Sequence, residues 1–526
     1  MTYLDKSQTY QRAFAAPFLF LLLPLLLALP VIALSMSYGF DGLYGQDAYA
    51  YYRYAMGALR QNLLALEAPA PFYWPPGYPL LVALFSLLLE TRPIAAQIVS
   101  LAAGALVPVF TALLAYELWA HVPDSLAANS KEQSQALSVA FVAGLVSALT
   151  PQLWQSSAVI MPDTTALALA TLGAWALLRY GHSRRGAWLA LSAAALAFAI
   201  LTRLPYVLVA LAGAGYALLL LAREQRHGVN RGAVALAHGA VSLVITLAIL
   251  SPLLVSLLQR QPDNGGQTYL ANLGTITWRL GHALQNEFVT GNGIQRYRLA
   301  NGLYYALAPA HRFFFTPLLA PFLLPGLWRL WKRRTPSRIL LLVVWPLAGY
   351  LLLVGYPVQN FRFTLTFLPP LAIILATGLF VSAQWLGRAR PLLIVLPAAA
   401  LLWMAYGGWT LTESFILRKQ ANLATVSWVQ QQVEPQAQLF TFGITLTFEQ
   451  YADLQIHDLY ALSTTQMNDL LQSERPAYLL VDVENIENQW AEHAPGRGYR
   501  WLQRERGLQA LGRHRQYSLF RIGVGE

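Results

Sequence analysis

The sequence predicts a polytopic all-α membrane protein that ends in a small α/β domain. Three observations predict it. Apolar runs of about 18 or more residues, each long enough to cross roughly 30 Å of hydrocarbon, recur along residues 1–411. Hydrophobic residues make up 56% of the 526 and charged residues 12%, against roughly 25% charged in soluble domains. From residue 412 onward the pattern changes to short apolar strands separated by polar helical stretches, the signature of a separate α/β fold with its own core.

The first apolar run, Phe14 to Met36, is too long for a secretory signal and has no clear small-residue cleavage site, so it reads as a retained helix. Basic loops then set the orientation. Arg179–Arg185 (RYGHSRR), Arg223–Arg231 (REQRHGVNR), Trp331–Arg338 (WKRRTPSR) and Gly387–Arg390 (GRAR) read as cytoplasmic by the positive-inside rule. The segments between successive basic loops are long enough for two crossings each. This predicts helices near 136–160 and 163–179, near 187–202 and 204–222, and near 339–356 and 363–386. Further crossings near 13–37, 93–118, 232–258, 313–331 and 391–411 bring the total to about 11. The piece Tyr78–Leu89 is too short to span and reads as interfacial or re-entrant. With a cytoplasmic N-terminus, this odd count puts the C-terminal domain outside.

Two further polar regions share that outer face, a first loop over 38–92 and a long loop over 259–311 with PDNGG and GNG turn signals. The tail, 412–526, contains the apolar strands Gln438–Phe442, Ala477–Val481 and Tyr517–Ile522. The N-terminal module is therefore 1–411 and the extracytoplasmic domain 412–526.

The formal net charge is +11, but its distribution excludes a nucleic-acid partner. Residues 1–411 hold 26 Lys and Arg and 12 acids, whereas residues 412–526 hold 10 and 13. The basic excess belongs to short loops of the membrane module, where it fixes orientation. The absence of cysteine excludes disulfides, thiol chemistry and Cys-based metal sites.

The predicted topology gathers unusual polar residues on the outer side: Asp41, Asp47, Asp163, Arg203 and Arg362. Carboxylates beside apolar segments are costly to keep and mark candidate sites. Each also has a structural reading. Asp41 lies in an Asp-Gly turn, Asp47 is placed to cap a short interfacial helix, and Asp163 to cap the helix that follows it. Arg203 and Arg362 stand against the positive-inside bias. They pair with these acids, reach lipid phosphates, or hold a bound phosphate bidentately. Tyr51, Tyr73 and Trp74, in the aromatic first loop, fit either an interfacial belt or the wall of a pocket. His282 and His311 lack metal-ligand spacing and read as structural.

These residues make chemical sense together. A carboxylate in a positioned, dry site is a competent general base for a hydroxyl or amine. A phosphate leaving group needs its charge held, which arginines do. The set describes sugar transfer from a lipid-phosphate donor to an acceptor at the outer face. The alternative is a transporter or flippase of lipid-linked sugars, but the paired interrupted helices of two repeated halves are not evident in the sequence.

At these residues the chain resembles a family. Asp47-Ala48-Tyr49-Ala50-Tyr51 is similar to the Asp-Glu-x-x-Tyr pattern of integral-membrane C-type (GT-C) glycosyltransferases, within the superfamily of protein O-mannosyltransferases and lipid A aminoarabinose transferases. Phe72–Pro79 (FYWPPGYP), Ala158–Asp163 (AVIMPD), Ile200–Arg203 (ILTR) and Gln359–Phe363 (QNFRF) resemble, in order, further loop motifs of that superfamily. The resemblance covers about residues 10–410. It implies a GT-C-like fold and an inverting hexosyl- or pentosyltransferase using a polyprenyl-phosphate sugar. The acceptor is a lipid, glycan or protein, and the setting is a bacterial-type inner membrane in contact with membrane lipids. Asp47 is implied as the base, Asp163 as a second catalytic residue, and Arg203 and Arg362 as the holders of the donor phosphate. Asp41, Tyr51, Tyr73 and Trp74 are left to line the pocket. A divalent cation, Mg or Mn, is the one cofactor the resemblance allows. The sequence departs at Ala48, where the pattern has a second acid, so no metal ligands are assigned.

Overall fold

The computed structural model describes residues 3–67, 72, 74–120, 130–226, 229–258, 277–290, 293–386 and 392–523. The chain divides into two compact units. The first comprises 1–43, 51–284 and 299–413, and the second 44–50, 285–298 and 414–526.

The first unit is helical. Among the described residues, seven helices are long and apolar enough to cross a membrane: Phe20–Tyr38, Pro93–Ala120, Leu204–Arg226, Val229–Leu258, Pro336–Val354, Phe361–Trp385 and Ile394–Gln430. An eighth span results if Glu132–Ala148 and Pro151–Ala158, bent by 56°, are counted as one. The bend falls where Pro151 occupies the first position of the second helix, since proline lacks the N–H that would continue the first. The remaining expected crossings correspond to the helices Asp163–Ser183 and Gly186–Thr202 and to a broken stretch, Thr316–Lys332. That stretch divides into Thr316–Leu319, Ala320–Phe322 and Leu323–Lys332, with Pro317 and Pro321 each opening a new turn. The core is built by Pro93–Ala120 packing on Ser130–Ala148 and on Asp163–Ser183, which in turn packs on Gly186–Thr202. Gly77–Leu89, at 13 residues, is a short apolar helix of less than spanning length.

Two close approaches position the loops of this unit. Gly42 is left-handed at φ +85, and a Cβ there would meet Ile160 at 2.9 Å and Gln97 at 3.0 Å. The Gly42 carbonyl accepts from the Ile160 amide at 2.9 Å, so the Asp41-Gly42 turn is tied to the loop that ends at Asp163. Gly77, the last residue of the Pro-Pro-Gly turn, lies so close to the backbone of Leu201 and Thr202 that an added Cβ would stand 2.7 Å away. Only glycine permits such an approach.

The second unit contains a five-stranded sheet of order β4-β3-β5-β7-β6 among the described residues. Its strands are β3 (Gln438–Thr441), β4 (Gln455–Asp458), β5 (Ala477–Val481), β6 (Leu508–His514) and β7 (Tyr517–Ile522). β3 runs parallel to β4 and β5, while β7 runs antiparallel to β5 and β6. β5 is buried along its whole length because both faces are covered, which is why AYLLV reads as a continuous apolar run. Phe440, Leu479 and Val481 face a cluster with Met467, Trp490 and Leu502. Leu439, Tyr478 and Leu480 face Val426, Val429 and Phe448. Each such leucine contributes about 1.5–3 kcal/mol by leaving water. The same unit holds an antiparallel hairpin from the long loop, β1 (Glu287–Thr290) and β2 (Gly293–Arg296). It also holds the segment Tyr44–Ala50.

Candidate active site

In the helical unit the structure groups Asp163, Arg203 and Arg362. Asp163 is the first residue of Asp163–Ser183, with Pro162 at the N-cap position and no side-chain cap hydrogen bond. It therefore does not cap its helix. Its carboxylate is 3% exposed and forms an ion pair with the Arg203 guanidinium. Arg203 is the residue that ends Gly186–Thr202, in extended conformation. The hairpin of the two helices thus returns the chain to its starting level. A carboxylate in the first turn also gains from the helix dipole.

Arg203 and Arg362 both lie over the ring of Phe363, with their guanidinium carbons 4.8 Å and 5.4 Å from its centroid. Stacking on an aromatic face holds the plane of a guanidinium and leaves its N–H edge to pair with anions. Arg362 also approaches the Met161 sulfur at 3.8 Å. Its backbone is fixed by Asn360, whose side chain accepts from the Arg362 amide at 3.1 Å. The turn before it is braced by Asn301, which donates to the carbonyls of Leu353, Val354 and Tyr356. In that turn, beyond the span Pro336–Val354, burial pushes the Tyr356 hydroxyl above its ordinary pKa, against the opposing pull of Arg203 and Arg362.

The loop carrying Asp163 is pinned by polar side chains of Pro93–Ala120. Gln97 donates to the Ala158 carbonyl at 2.9 Å. The Ser100 hydroxyl accepts from the Met161 amide at 3.2 Å and donates to the Met161 carbonyl at 3.1 Å. Thr164 donates to the Ser100 carbonyl at 2.9 Å. Ser100 is also 2.8 Å from the Tyr78 hydroxyl, and Tyr78 connects this loop to an aromatic group. Tyr51 stacks on Trp74 at 4.6 Å and meets Phe72 and Tyr78 edge-on, while Tyr54 stacks on Phe72 at 4.1 Å. Tyr73 lies outside the described residues. Asp41 accepts from the Leu43 amide at 3.1 Å, which is an Asx turn.

Asp47 belongs to the second unit. It stands in the first turn of Gly45–Tyr54, just after Gly45, which is left-handed at φ +76. Gln46 donates to the Gly443 carbonyl at 3.2 Å. Tyr44 meets Phe415 edge-on at 5.0 Å, and Tyr49 meets Tyr451 edge-on at 6.4 Å. Among the described residues no three His, Asp or Glu side chains cluster closely enough to hold a metal ion. The donor set around Asp163 does not fit a divalent cation, because an arginine is its ion-pair partner.

Sequence reasoning did not single out Tyr356, Ser100 or Gln97, and it reached Phe363 only as the last residue of the QNFRF motif. Phe363 carried a signal, an aromatic residue next to Arg362. Ser100 and Gln97 are polar residues in a mostly apolar helix, and their register relative to Met161 is visible only in three dimensions.

No family model matches the chain, and no curated protein matches it either. Solved structures do. The crystal structure of ArnT from Cupriavidus metallidurans bound to undecaprenyl phosphate matches with a TM-score of 0.59 at 15% identity, covering 94% of this chain and 97% of that one. The apo structure of the same ArnT matches with a TM-score of 0.58 at 16% identity, over 93% and 97%. The chain therefore has the fold seen in the ArnT structures.

Proposed function

We propose that this protein is a membrane glycosyltransferase that moves a sugar from a polyprenyl-phosphate carrier to an acceptor at the outer face. The observation that carries the reading is the convergence of Arg203 and Arg362 on one ring, Phe363, with Arg203 paired to Asp163. Two guanidinium groups from separate helix ends, set in an apolar helical unit, suit a phosphate that enters on a lipid tail. That the fold is one crystallised with undecaprenyl phosphate supports the same donor class.

In this mechanism Arg362 and Arg203 hold the donor phosphate, and Asp163 orients Arg203. The acceptor oxygen or nitrogen attacks the anomeric carbon from the face opposite the phosphate, so the anomeric configuration inverts. Its proton passes to the Asp47 carboxylate as the new bond forms. The anomeric C–O bond breaks, and its electron pair leaves on polyprenyl phosphate, whose charge the arginines stabilise. Pinning the Asp163 loop through Gln97 and Ser100 sets the geometry before substrate arrives, so little reorganisation is needed.

The test is release of polyprenyl phosphate from a labelled polyprenyl-phosphate sugar by purified protein in detergent or vesicles. Transfer with at least one such donor supports the reading. Absence of transfer with any lipid-linked donor, with binding retained, favours a transporter.

A further inference from the structure

We propose that Tyr451 and Lys419 of the C-terminal domain are positioning residues for Asp47, so that this domain is part of the catalytic machinery and not an appendage. The inference rests on the assignment of Asp47 as the base. Its structural part stands on geometry within the second unit alone.

The segment Tyr44–Ala50 is held there by three contacts that flank Asp47. Upstream, Tyr44 meets Phe415 at 5.0 Å and Gln46 donates to Gly443 at 3.2 Å. Downstream, Tyr49, 2% exposed, meets the edge of Tyr451 at 6.4 Å. Gly443 is left-handed at φ +81, and the carbonyl that Gln46 reaches belongs to this turn at the end of β3. Tyr451 is itself fixed. The Lys419 ammonium donates to its hydroxyl at 2.7 Å and lies 5.0 Å from its ring centroid. Lys419 is 4% exposed, on the long helix Leu392–Gln430. Ordering a lysine's four rotatable bonds in a buried position costs side-chain entropy. What that lysine fixes here is the ring against which Tyr49, two residues from Asp47, is packed.

A general base needs placement to within a fraction of an ångström, and a displacement of about 1 Å costs on the order of a hundredfold in rate. A helix does not hold its first turn by backbone bonds alone, because its first amides have no intrahelical acceptor, and Asp47 stands in the first turn of Gly45–Tyr54. The contacts from Phe415, Gly443 and Tyr451 supply the restraint. This gives the domain a function that its sheet alone does not reveal.

The experiment uses the full chain with Tyr451→Ala, Tyr451→Phe, Lys419→Met and Lys419→Arg. It measures hydrogen exchange of the Ala48–Ala50 amides alongside kcat and donor KM. Tyr451→Ala is expected to raise exchange at 48–50 several-fold with β3 and β5 unchanged. It should lower kcat about tenfold to a hundredfold with donor KM within about twofold. Tyr451→Phe keeps the ring and is expected to fall between wild type and Tyr451→Ala, as is Lys419→Met, with Lys419→Arg recovering part of the loss. Unchanged exchange at 48–50 in Tyr451→Ala would overturn the proposal. So would a uniform rise across the sheet in both Tyr451→Phe and Lys419→Met, which marks a purely structural role. If wild type transfers no sugar, the glycosyltransferase reading fails and the exchange arm still decides whether Tyr451 holds the segment.

Discussion

Asp163 opens one helix and Arg203 closes the next, and their side chains form a buried ion pair. The pair joins two loop motifs that are far apart in sequence and fixes the arginine that lies over Phe363. Its acid is 3% exposed, so each partner depends on the other to offset its desolvation.

Asp163→Ala is therefore expected to destabilise the protein by about 3–5 kcal/mol, because it leaves a guanidinium with reduced compensation in an apolar setting. Asp163→Ala combined with Arg203→Met should recover much of that loss, since an apolar pair is tolerated where a lone charge is not. Thermal unfolding in detergent, followed for the single and double variants, checks both statements.

Arg362→Ala is expected to raise donor KM, or weaken binding of undecaprenyl phosphate, by about tenfold. The expectation follows from loss of one charge-assisted hydrogen bond of roughly 1.5–3 kcal/mol. Arg362→Lys should restore only part of this, because an ammonium has no planar fork to stack on Phe363 or grip two oxygens. Titration with the lipid phosphate separates this effect from chemistry.

Gly77→Ala should displace the Thr202-Arg203 turn, because the new methyl meets backbone at 2.7 Å, where no side-chain rotation relieves it. Activity is expected to fall about tenfold or more by misplacing Arg203, with a modest drop in thermal stability. Equal stability and full activity in Gly77→Ala would show that the turn is not held by this contact.

The C-terminal domain should lose stability as pH falls below neutrality, and His457 is one cause. Burial lowers its pKa from the usual 6.5, and its Nε2 is 3.0 Å from Gln438 Oε1, an acceptor. The Gln438 amide nitrogen is committed to the Leu470 carbonyl and to Ser473. The unfolded chain takes up a proton near the ordinary histidine value, whereas the folded one resists it. The stabilisation present above that value is thus lost progressively as pH drops toward the lowered folded one. Hydrogen exchange of β3 and β5 across about pH 7 to 5 should show this slope in wild type and a shallower one in His457→Gln.

Much of the fold could be read from the sequence because the bilayer imposes strict lengths and the positive-inside bias marks the loops. Ala477–Val481 and Tyr517–Ile522 are strands at the expected residues, since apolar runs of that length bounded by polar residues have few other uses. The Asp-Gly turn at Asp41 was legible for the same local reason. Long-range relationships were not. Nothing in Thr202 or Gly77 announces that their backbones touch, and helical periodicity does not reveal which aromatic ring two arginines share. The expected crossing near 313–331 is broken because prolines punctuate an apolar run whose length alone suggested continuity. β6 was missed because its residues are mostly exposed and carry little apolar alternation. The placement of Tyr44–Ala50 with the C-terminal domain depends on Phe415, Gly443 and Tyr451, which lie far along the chain.

The most direct measurement is the rate of sugar transfer from a polyprenyl-phosphate donor by wild type and by Asp47→Asn, with binding of undecaprenyl phosphate measured on both. The account predicts that wild type transfers and that Asp47→Asn loses at least about a hundredfold in kcat, as expected for removing a general base, while its binding of the lipid phosphate stays within about twofold. Transfer by Asp47→Asn at the wild-type rate would contradict it.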